Sequence, residues 1–272
     1  MPELPEVETI VRDLASSVPG RTIRDVEVFH ADLIEGERAA EFAEALRGRR
    51  IGGVTRRAKN IVFDLGRGDR LLVNLGMTGR LLVPRRGDPL PTHLGVRMTL
   101  GRGRELLYAD TRRFGRLWRT DESGWSAFDG RLGVEPLSDD FSAERLFEMT
   151  RRSRVAVKTW LMDQARVVGV GNIYASEALF RAGVDPRRPA NELTLDDVER
   201  IRRATQEVLS EAIEFRGTTF LDYRDASGNR GEFYDRLRVY DREGQPCAAC
   251  NRPLQRIVQA NRSTFFCEDC QR

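Results

Sequence analysis

The sequence predicts an α+β chain of two domains followed by a small metal-binding tail. Its apolar residues follow a helical period at the start, alternate with a period of two from about Thr22 to Arg119, and then return to the helical period. Its four cysteines fall at the end, in two C-x2-C pairs. A chain of 272 residues is long enough for two buried cores, at roughly 150 residues per domain.

The opening helix is predicted over residues 5–18, where Val7, Ile10, Val11, Leu14 and Val18 share one face. Pro5 stands near its start and Gly20 just past its end. Alternation then runs through Ile61, Phe63 and Leu65, through Val73 and Leu75, through Val96, Met98 and Leu100, and through Leu106 and Tyr108. Breaks at Gly66-Arg67-Gly68-Asp69 and Gly101-Arg102-Gly103-Arg104 separate the runs, so an antiparallel sheet or sandwich is expected. The alternation ends near Gly133-Val134-Glu135-Pro136-Leu137-Ser138, and helical patterns hold from Phe141 to about Phe215. Thr194-Leu195-Asp196-Asp197 is a capping signal for the helix containing Val198, Ile201, Ala204 and Val208. A polar stretch at 217–235 leads to the tail. The expected domains are therefore 1–133, 134–235 and 236–272.

Composition narrows the function classes. With 40% hydrophobic and 32% charged residues and no run of about 18 apolar residues, a membrane-spanning chain is not expected. Residues 1–8, MPELPEVE, carry Glu3, Glu6 and Glu8 and no basic residue, unlike a cationic secretory leader, so a cytoplasmic chain is expected. The net charge of +3 hides an asymmetry: of 45 basic residues, only Lys59 and Lys158 are lysine. Lysine can shed its proton when buried or crowded, whereas arginine stays charged. Both lysines are thus candidates for proton transfer or amine chemistry, with codon drift the plain alternative.

Cys247, Cys250, Cys267 and Cys270 have the spacing of a structural zinc site. Each two-residue gap lets one knuckle aim two thiolates at one ion, and the intervening segment can form a hairpin that completes a tetrahedron. With sulfur at all four corners, one structural Zn2+ is expected; two disulfides are the alternative. Arg252, Arg256, Asn261 and Arg262 lie within the hairpin, which suits phosphate binding or a solvated basic face, and Phe265 and Phe266 can pack beneath it. In LMDQARVVGVGNIYASEALF, at 161–180, Gly169, Gly171 and Asn172 precede a new helix. Such a junction is either a tight turn or an anion site, and Arg151, Arg152, Arg154 and Lys158 supply positive charge upstream.

Removal of Met1 would leave Pro2 as a secondary amine at the terminus. An α-amino group titrates near 8, so roughly a tenth is neutral at pH 7. Attack by such an amine on a sugar C1′ gives an iminium, an electron sink that labilises the neighbouring C–H bond. Glu3 could act as an acid toward the sugar ring oxygen and Lys59 as a second proton donor. The same residues also read as a proline and acids at a helix start.

MPELPEVE at 1–8, RRAKN at 56–60, NLGMTG at 74–79, DTRRFG at 110–115, GVGNIYASE at 169–177 and the four-cysteine tail together resemble bacterial formamidopyrimidine-DNA glycosylases across nearly the whole chain. The resemblance implies an N-terminal β-sandwich, a helix-two-turn-helix domain and a zinc finger. It also implies excision of 8-oxoguanine and formamidopyrimidines from double-stranded DNA and cleavage of abasic sites by β,δ-elimination; separately, the sequence gives no sign of oligomerisation, and a monomer is expected. Within it, Pro2 is similar to the Schiff-base nucleophile, Glu3 to the acid at the sugar, Lys59 to the donor for β-elimination, and Arg262 to the finger residue linked to δ-elimination and phosphate binding. Met77, Arg112 and Phe114 resemble the wedge that fills the gap left by an extruded nucleotide, with Arg112 facing the orphaned base. Read separately, Met77 and Phe114 are ordinary core residues. His93, Asn172, Arg154 and Lys158 are assigned to the DNA backbone.

Three positions depart from the family pattern. Asn74 stands where His often precedes LGM, Thr111 replaces Pro in the DPRRFG motif, and Leu221 stands where many relatives carry Arg in the lesion-capping loop. The first two are expected to alter support rather than chemistry, and recognition by backbone N–H groups would survive the third. Two rival readings remain: an endonuclease VIII-type enzyme for oxidised pyrimidines, and a non-catalytic protein that binds damaged DNA and needs no free Pro2.

Overall fold

The computed structural model describes residues 2–85, 87–219 and 222–272. Two compact units emerge, Met1–Gly130 with Phe215–Tyr234, and Arg131–Glu214 with Asp235–Arg272.

The first unit opens with α1 (Leu4–Ala15), which buries Val7, Ile10, Val11 and Leu14 at the spacing read from the sequence. Strand β1 (Ile23–Val28) follows, then α2 (Ala39–Leu46), which packs against β1 through Phe42, Ala43 and Leu46. Helix α2 interrupts the stretch expected to be all strand. Its AAEFAEAL run combines strong helix formers with a buried i, i+1, i+4 face, and that local pattern prevails over the neighbouring alternation.

The remaining strands are β2 (Gly53–Arg57), β3 (Asn60–Asp64), β4 (Arg70–Asn74), β5 (Gly79–Leu82), β6 (Leu94–Leu100), β7 (Arg104–Asp110) and β8 (Arg116–Thr120). They form two four-stranded antiparallel sheets, ordered β1-β6-β7-β5 and β2-β3-β4-β8. Val26, Val96, Met98, Leu106 and Tyr108 of the first sheet and Val54, Ile61, Phe63, Val73 and Leu117 of the second share one core with the apolar face of α1, so the strands make a sandwich. Each such side chain contributes about 1.5–3 kcal/mol by leaving water. A short α3 (Glu122–Asp129) closes the unit's first segment, its N-terminus capped by the Asp121 carboxylate, which accepts the Gly124 N–H at 2.8 Å.

The second unit carries α4 (Ala143–Thr150), α5 (Val157–Leu161), α6 (Asn172–Ala182) and α7 (Leu195–Glu214). Helix α7 packs on α6 and α4. Helix α6 starts at Asn172 and ends at Gly183, whose φ of 67° provides the left-handed cap. The tail forms a hairpin of β9 (Gln255–Gln259) and β10 (Arg262–Phe266), with Val239, Cys247, Leu254, Phe265 and Cys267 in a small core of its own. Glu177 of α6, wholly buried, accepts the backbone N–H groups of Arg238, Val239 and Tyr240 and so fastens the approach to the tail onto α6. No helix among the described residues is long and apolar enough to cross a membrane.

Candidate active site

In the first unit, Pro2 and Glu3 lie buried at the start of α1. A helix start leaves backbone N–H groups without helical acceptors. Glu6, three residues after Glu3, meets this need: its Oε2 accepts the Glu3 N–H at 2.8 Å. Its other oxygen, Oε1, accepts the N–H of Thr218 at 2.7 Å. The Glu6 carboxylate, 1% exposed, therefore joins the start of α1 to the backbone at Thr218. Gly217 makes this approach possible, because its φ is +83° and a Cβ there would lie 2.8 Å from Glu6 Oε1. Arg216 adds a second tie, reaching Asp13 of α1 at 2.7 Å and Asp225 at 2.6 Å. Leu221 and Met1 lie outside the described residues, so the departure at Leu221 and the removal of Met1 have no structural counterpart here.

Lys59, partly buried, occupies the second position of the two-residue turn between β2 and β3, whose last pair is Arg57 opposite Asn60. Ala58 supplies the positive φ, 54°, that so short a turn requires. Helix α1 packs on both strands of this hairpin, so the helix that Pro2 and Glu3 lead into also supports the hairpin presenting Lys59. Next in the chain, Asn60 Oδ1 accepts Asn74 Nδ2 at 2.9 Å, and Asn74 Oδ1 accepts the Gly76 N–H at 2.9 Å. Asn74 thus links the Lys59 hairpin to the turn that carries Met77.

Met77, Arg112 and Phe114 are exposed on neighbouring loops, with Met77 at 41% and Phe114 at 53%. The reading of Met77 and Phe114 as ordinary core is therefore set aside. They are already assembled: the Arg112 guanidinium stands 4.6 Å from the Phe114 ring centre, and its Nη1 lies 3.5 Å from Met77 Sδ. Asp110, 1% exposed, is the cause of this order. Its Oδ1 accepts the Thr78 hydroxyl and the Arg112 N–H, and its Oδ2 accepts the Gly115 N–H at 2.9 Å and the Tyr108 hydroxyl at 3.2 Å. Burial, reinforced by the negative charge and hydrogen bond of Asp110, pushes the Tyr108 hydroxyl pKa far upward and keeps it a donor. Gly76 allows the two loops to approach, since a Cβ there would lie 2.5 Å from the Gly115 nitrogen. His93 is exposed at a positive φ of 59°, and its carbonyl accepts the Asp110 N–H at 3.0 Å. Thr111 is exposed.

In the second unit, Arg154 is exposed ahead of α5, and Arg262 is exposed at the first position of β10, beside the Ala260-Asn261 turn with φ values of 46° and 59°. Lys158 is placed differently from the expectation of a DNA-facing lysine. It is buried to 1% exposure, and its Nζ donates to Asn172 Oδ1 at 2.6 Å, Ser263 O at 2.9 Å and Thr264 Oγ at 2.8 Å. A buried ammonium needs such acceptors, and these tie α5 to the start of α6 and to β10. Asn172, partly buried, also donates from Nδ2 to Ser263 O at 2.9 Å.

The sulfurs of Cys247, Cys250, Cys267 and Cys270 all lie within 4.8 Å of one another. Cys247 and Cys270 are 3.9 Å apart, and Cys250 and Cys267 are 3.4 Å apart. A tetrahedron with Zn–S distances of about 2.3 Å sets sulfurs about 3.8 Å apart, whereas a disulfide needs about 2.05 Å. The four residues fit one structural zinc, and the disulfide alternative does not hold.

The sequence by itself does not single out Glu6 or Asp110. Glu6 left a signal, the three-residue spacing from Glu3, but its partner Thr218 lies in a distant segment. Asp110 opens the DTRRFG run, but its role was hidden because its partners depend on how two loops meet.

A family model described as the formamidopyrimidine-DNA glycosylase N-terminal domain matches residues 1–117, the H2TH domain of the same family matches 132–223, and a zinc finger found in FPG and IleRS matches 244–272. The chain is 43% identical over 273 residues to a formamidopyrimidine-DNA glycosylase of Desulfitobacterium hafniense, covering 100% of both. It is also 43% identical over 272 residues to that of Herpetosiphon aurantiacus, again covering 100% of both. Among solved structures, the MutM (Fpg) protein from Thermus thermophilus is similar with a TM-score of 0.88 and 43% identity, over 99% of this chain and 98% of that one. The Lactococcus lactis Fpg in complex with DNA containing an abasic site is similar with a TM-score of 0.91 and 31% identity, over 99% of both chains.

Proposed function

The chain belongs to the formamidopyrimidine-DNA glycosylase family and is a DNA glycosylase with a zinc finger, and from that premise we propose that it removes oxidised purines from duplex DNA and cuts the strand at the resulting abasic site. The observation that carries this reading is the packing of α1, which Pro2 and Glu3 immediately precede, on the hairpin whose turn holds Lys59. One element thus brings an amine, an acid and a proton donor into the same unit.

The neutral Pro2 nitrogen attacks C1′ of the damaged nucleotide, the C1′–N bond breaks, and the purine leaves with the bonding pair and takes up the proton that the Pro2 nitrogen gives up. Glu3 protonates the ring oxygen as the sugar opens, leaving an iminium between Pro2 and C1′. The iminium accepts the electrons of the C2′–H bond as that proton passes to the Glu3 carboxylate left by ring opening, and the C3′–O bond breaks so that the 3′ strand leaves as its phosphate ester. Lys59 supplies a proton during this β-elimination. A second loss of phosphate at C5′ completes the cut, with Arg262 holding the departing group. Met77, Arg112 and Phe114 fill the gap in the stack, and flipping costs a few kcal/mol that their contacts offset in part. His93, Arg154 and Asn172 contact the backbone, and Lys158 supports Asn172 and β10 from beneath. The zinc contributes structure to the finger and takes no part in the bond changes.

Support for the DNA partner comes from one relative, the Lactococcus lactis Fpg, crystallised with formamidopyrimidine-containing DNA and with abasic-site DNA. The test is borohydride reduction in the presence of a duplex containing 8-oxoguanine. A covalent adduct mapped to the Pro2 peptide, with base release, is the expected result. Absence of any adduct from protein whose Met1 has been removed would leave a DNA-binding protein without this chemistry, and an adduct formed only with oxidised pyrimidines would move the chain to the endonuclease VIII type.

A further inference from the structure

Lys59 is mounted on a turn of two residues, so its reach depends on how firmly that turn is held. Ala58 has a φ of 54°, a conformation that residues with a side chain rarely adopt. Its carbonyl accepts Arg56 Nη1 at 3.0 Å. The same guanidinium uses Nε to reach Glu8 Oε2 on α1 at 3.1 Å. Arg56 is nearly buried, with 9% of its side chain exposed. Glu8 is itself held from a second side, since its Oε1 accepts Arg12 Nε at 2.9 Å.

From this arrangement we propose that Arg56 is a positioning residue for Lys59: gripped by Glu8, it clamps the Ala58-Lys59 turn to α1, the helix that Pro2 and Glu3 lead into. A guanidinium suits this task because its donors form a rigid planar fork that reaches two acceptors at once, whereas an ammonium on a flexible stem leaves the angle between them undefined. The clamp fixes the separation between proton donor and nucleophile. Proton transfer requires heavy atoms within about 2.6–3.2 Å of each other, and a displacement of about 1 Å in a reacting group costs on the order of 100-fold in rate.

The inference rests on the reading of Lys59 as proton donor, and a double-variant cycle separates the two. Single-turnover cleavage of a duplex with a preformed abasic site is measured for the wild type, Lys59→Ala, Arg56→Ala and the double variant, alongside the rate of borohydride trapping. Arg56→Ala is expected to slow cleavage about 10- to 100-fold while leaving trapping within about twofold. In the Lys59→Ala background it should slow cleavage no further. Glu8→Ala, at a more exposed position, should reproduce a smaller part of the effect, and Glu8→Gln, which keeps an oxygen for Arg56 Nε, should restore most of it; this pair decides the matter if Arg56→Ala does not fold. Equal slowing by Arg56→Ala with and without Lys59, or trapping slowed as much as cleavage, overturns the proposal. If Lys59→Ala leaves cleavage unchanged, the donor reading falls and the inference with it. If Lys59→Ala slows cleavage and neither Arg56→Ala nor Glu8→Ala does, the inference alone falls.

Discussion

The carboxylate of Glu6 accepts the backbone N–H of Thr218 at 2.7 Å, joining the first turn of α1 to a loop more than two hundred residues away in sequence. Gly217 is the residue most exposed to any change there. Alanine at this position would keep an unfavourable φ of +83° and place its Cβ 2.9 Å from Glu6 Cγ. Gly217→Ala is expected to destabilise the protein by about 2 kcal/mol, read from the urea midpoint, and to slow base excision. An unchanged midpoint would show that the Glu6 contact yields without cost.

Arg112 and Phe114 call for the opposite pattern. Phe114 is half exposed and the Arg112 side chain is on the surface, so Arg112→Ala and Phe114→Ala should change stability by no more than about 0.5 kcal/mol. Their assembled contact, 4.6 Å from guanidinium to ring centre, is available to a gapped stack. Affinity for a duplex containing 8-oxoguanine should fall by about 1–3 kcal/mol in a binding titration. Single-stranded DNA leaves no gap to fill, so affinity for it should not move. A parallel loss on both substrates would reduce the wedge to a general phosphate contact.

The fold was legible where one local rule decided the outcome. The buried face of α1, the break at Gly171 before α6 and the thiolate knuckles all follow from spacing within a few residues. Helix α2 was hidden because eight residues are too few to stand out within a long alternating stretch. The candidate site divides in the same way. Pro2, Glu3 and Lys59 are proposed from chemistry alone, since the imino group that removal of Met1 would expose and a rare lysine are unusual in themselves. Glu6, Asp110 and the Glu8–Arg56 clamp were not, because their partners are fixed by tertiary packing. Lys158 shows the limit from the other side: its rarity marked it as special, but its environment, with acceptors on α6 and β10, makes it a structural tie.

Asp197 gives the second unit a defined acid sensitivity. Thr194 and Asp197 cap α7 reciprocally, with Asp197 N–H to Thr194 Oγ at 3.1 Å and Thr194 N–H to Asp197 Oδ2 at 2.9 Å. Burial works to raise the Asp197 pKa, but hydrogen bonds from Arg188 and Thr194 outweigh it and hold the group at about 2, against 3.8 for a free side chain. A carboxylate with a depressed pKa contributes its full stability above pH 4 and loses it as pH falls through 2. Asp197→Asn should therefore cost about 1–2 kcal/mol near pH 6, and the gap between variant and wild type should close between pH 4 and pH 2 in denaturation measured along a pH series. A gap that stays constant over that range would assign the cost to lost packing rather than to charge.

Metal removal should reach beyond the finger. The tail's own core is small, and without the four thiolates drawn to one ion Phe265, Cys267 and Leu254 have too few apolar neighbours to stay folded. Once β10 unfolds, Lys158 loses Ser263 O and Thr264 Oγ as acceptors and is left as a buried cation with part of its shell gone, a costly state. Chelation, or Cys247→Ser, is therefore expected to release one zinc per chain, to lower the thermal midpoint of the second unit as well as unfold residues 244–272, and to weaken DNA binding. Hydrogen exchange resolves the two levels: protection should disappear from β9 and β10 and fall measurably in α5 and the first turn of α6. If zinc leaves and protection in α5 and α6 is unchanged, Lys158 does not depend on the hairpin, and the coupling drawn from its three hydrogen bonds is wrong.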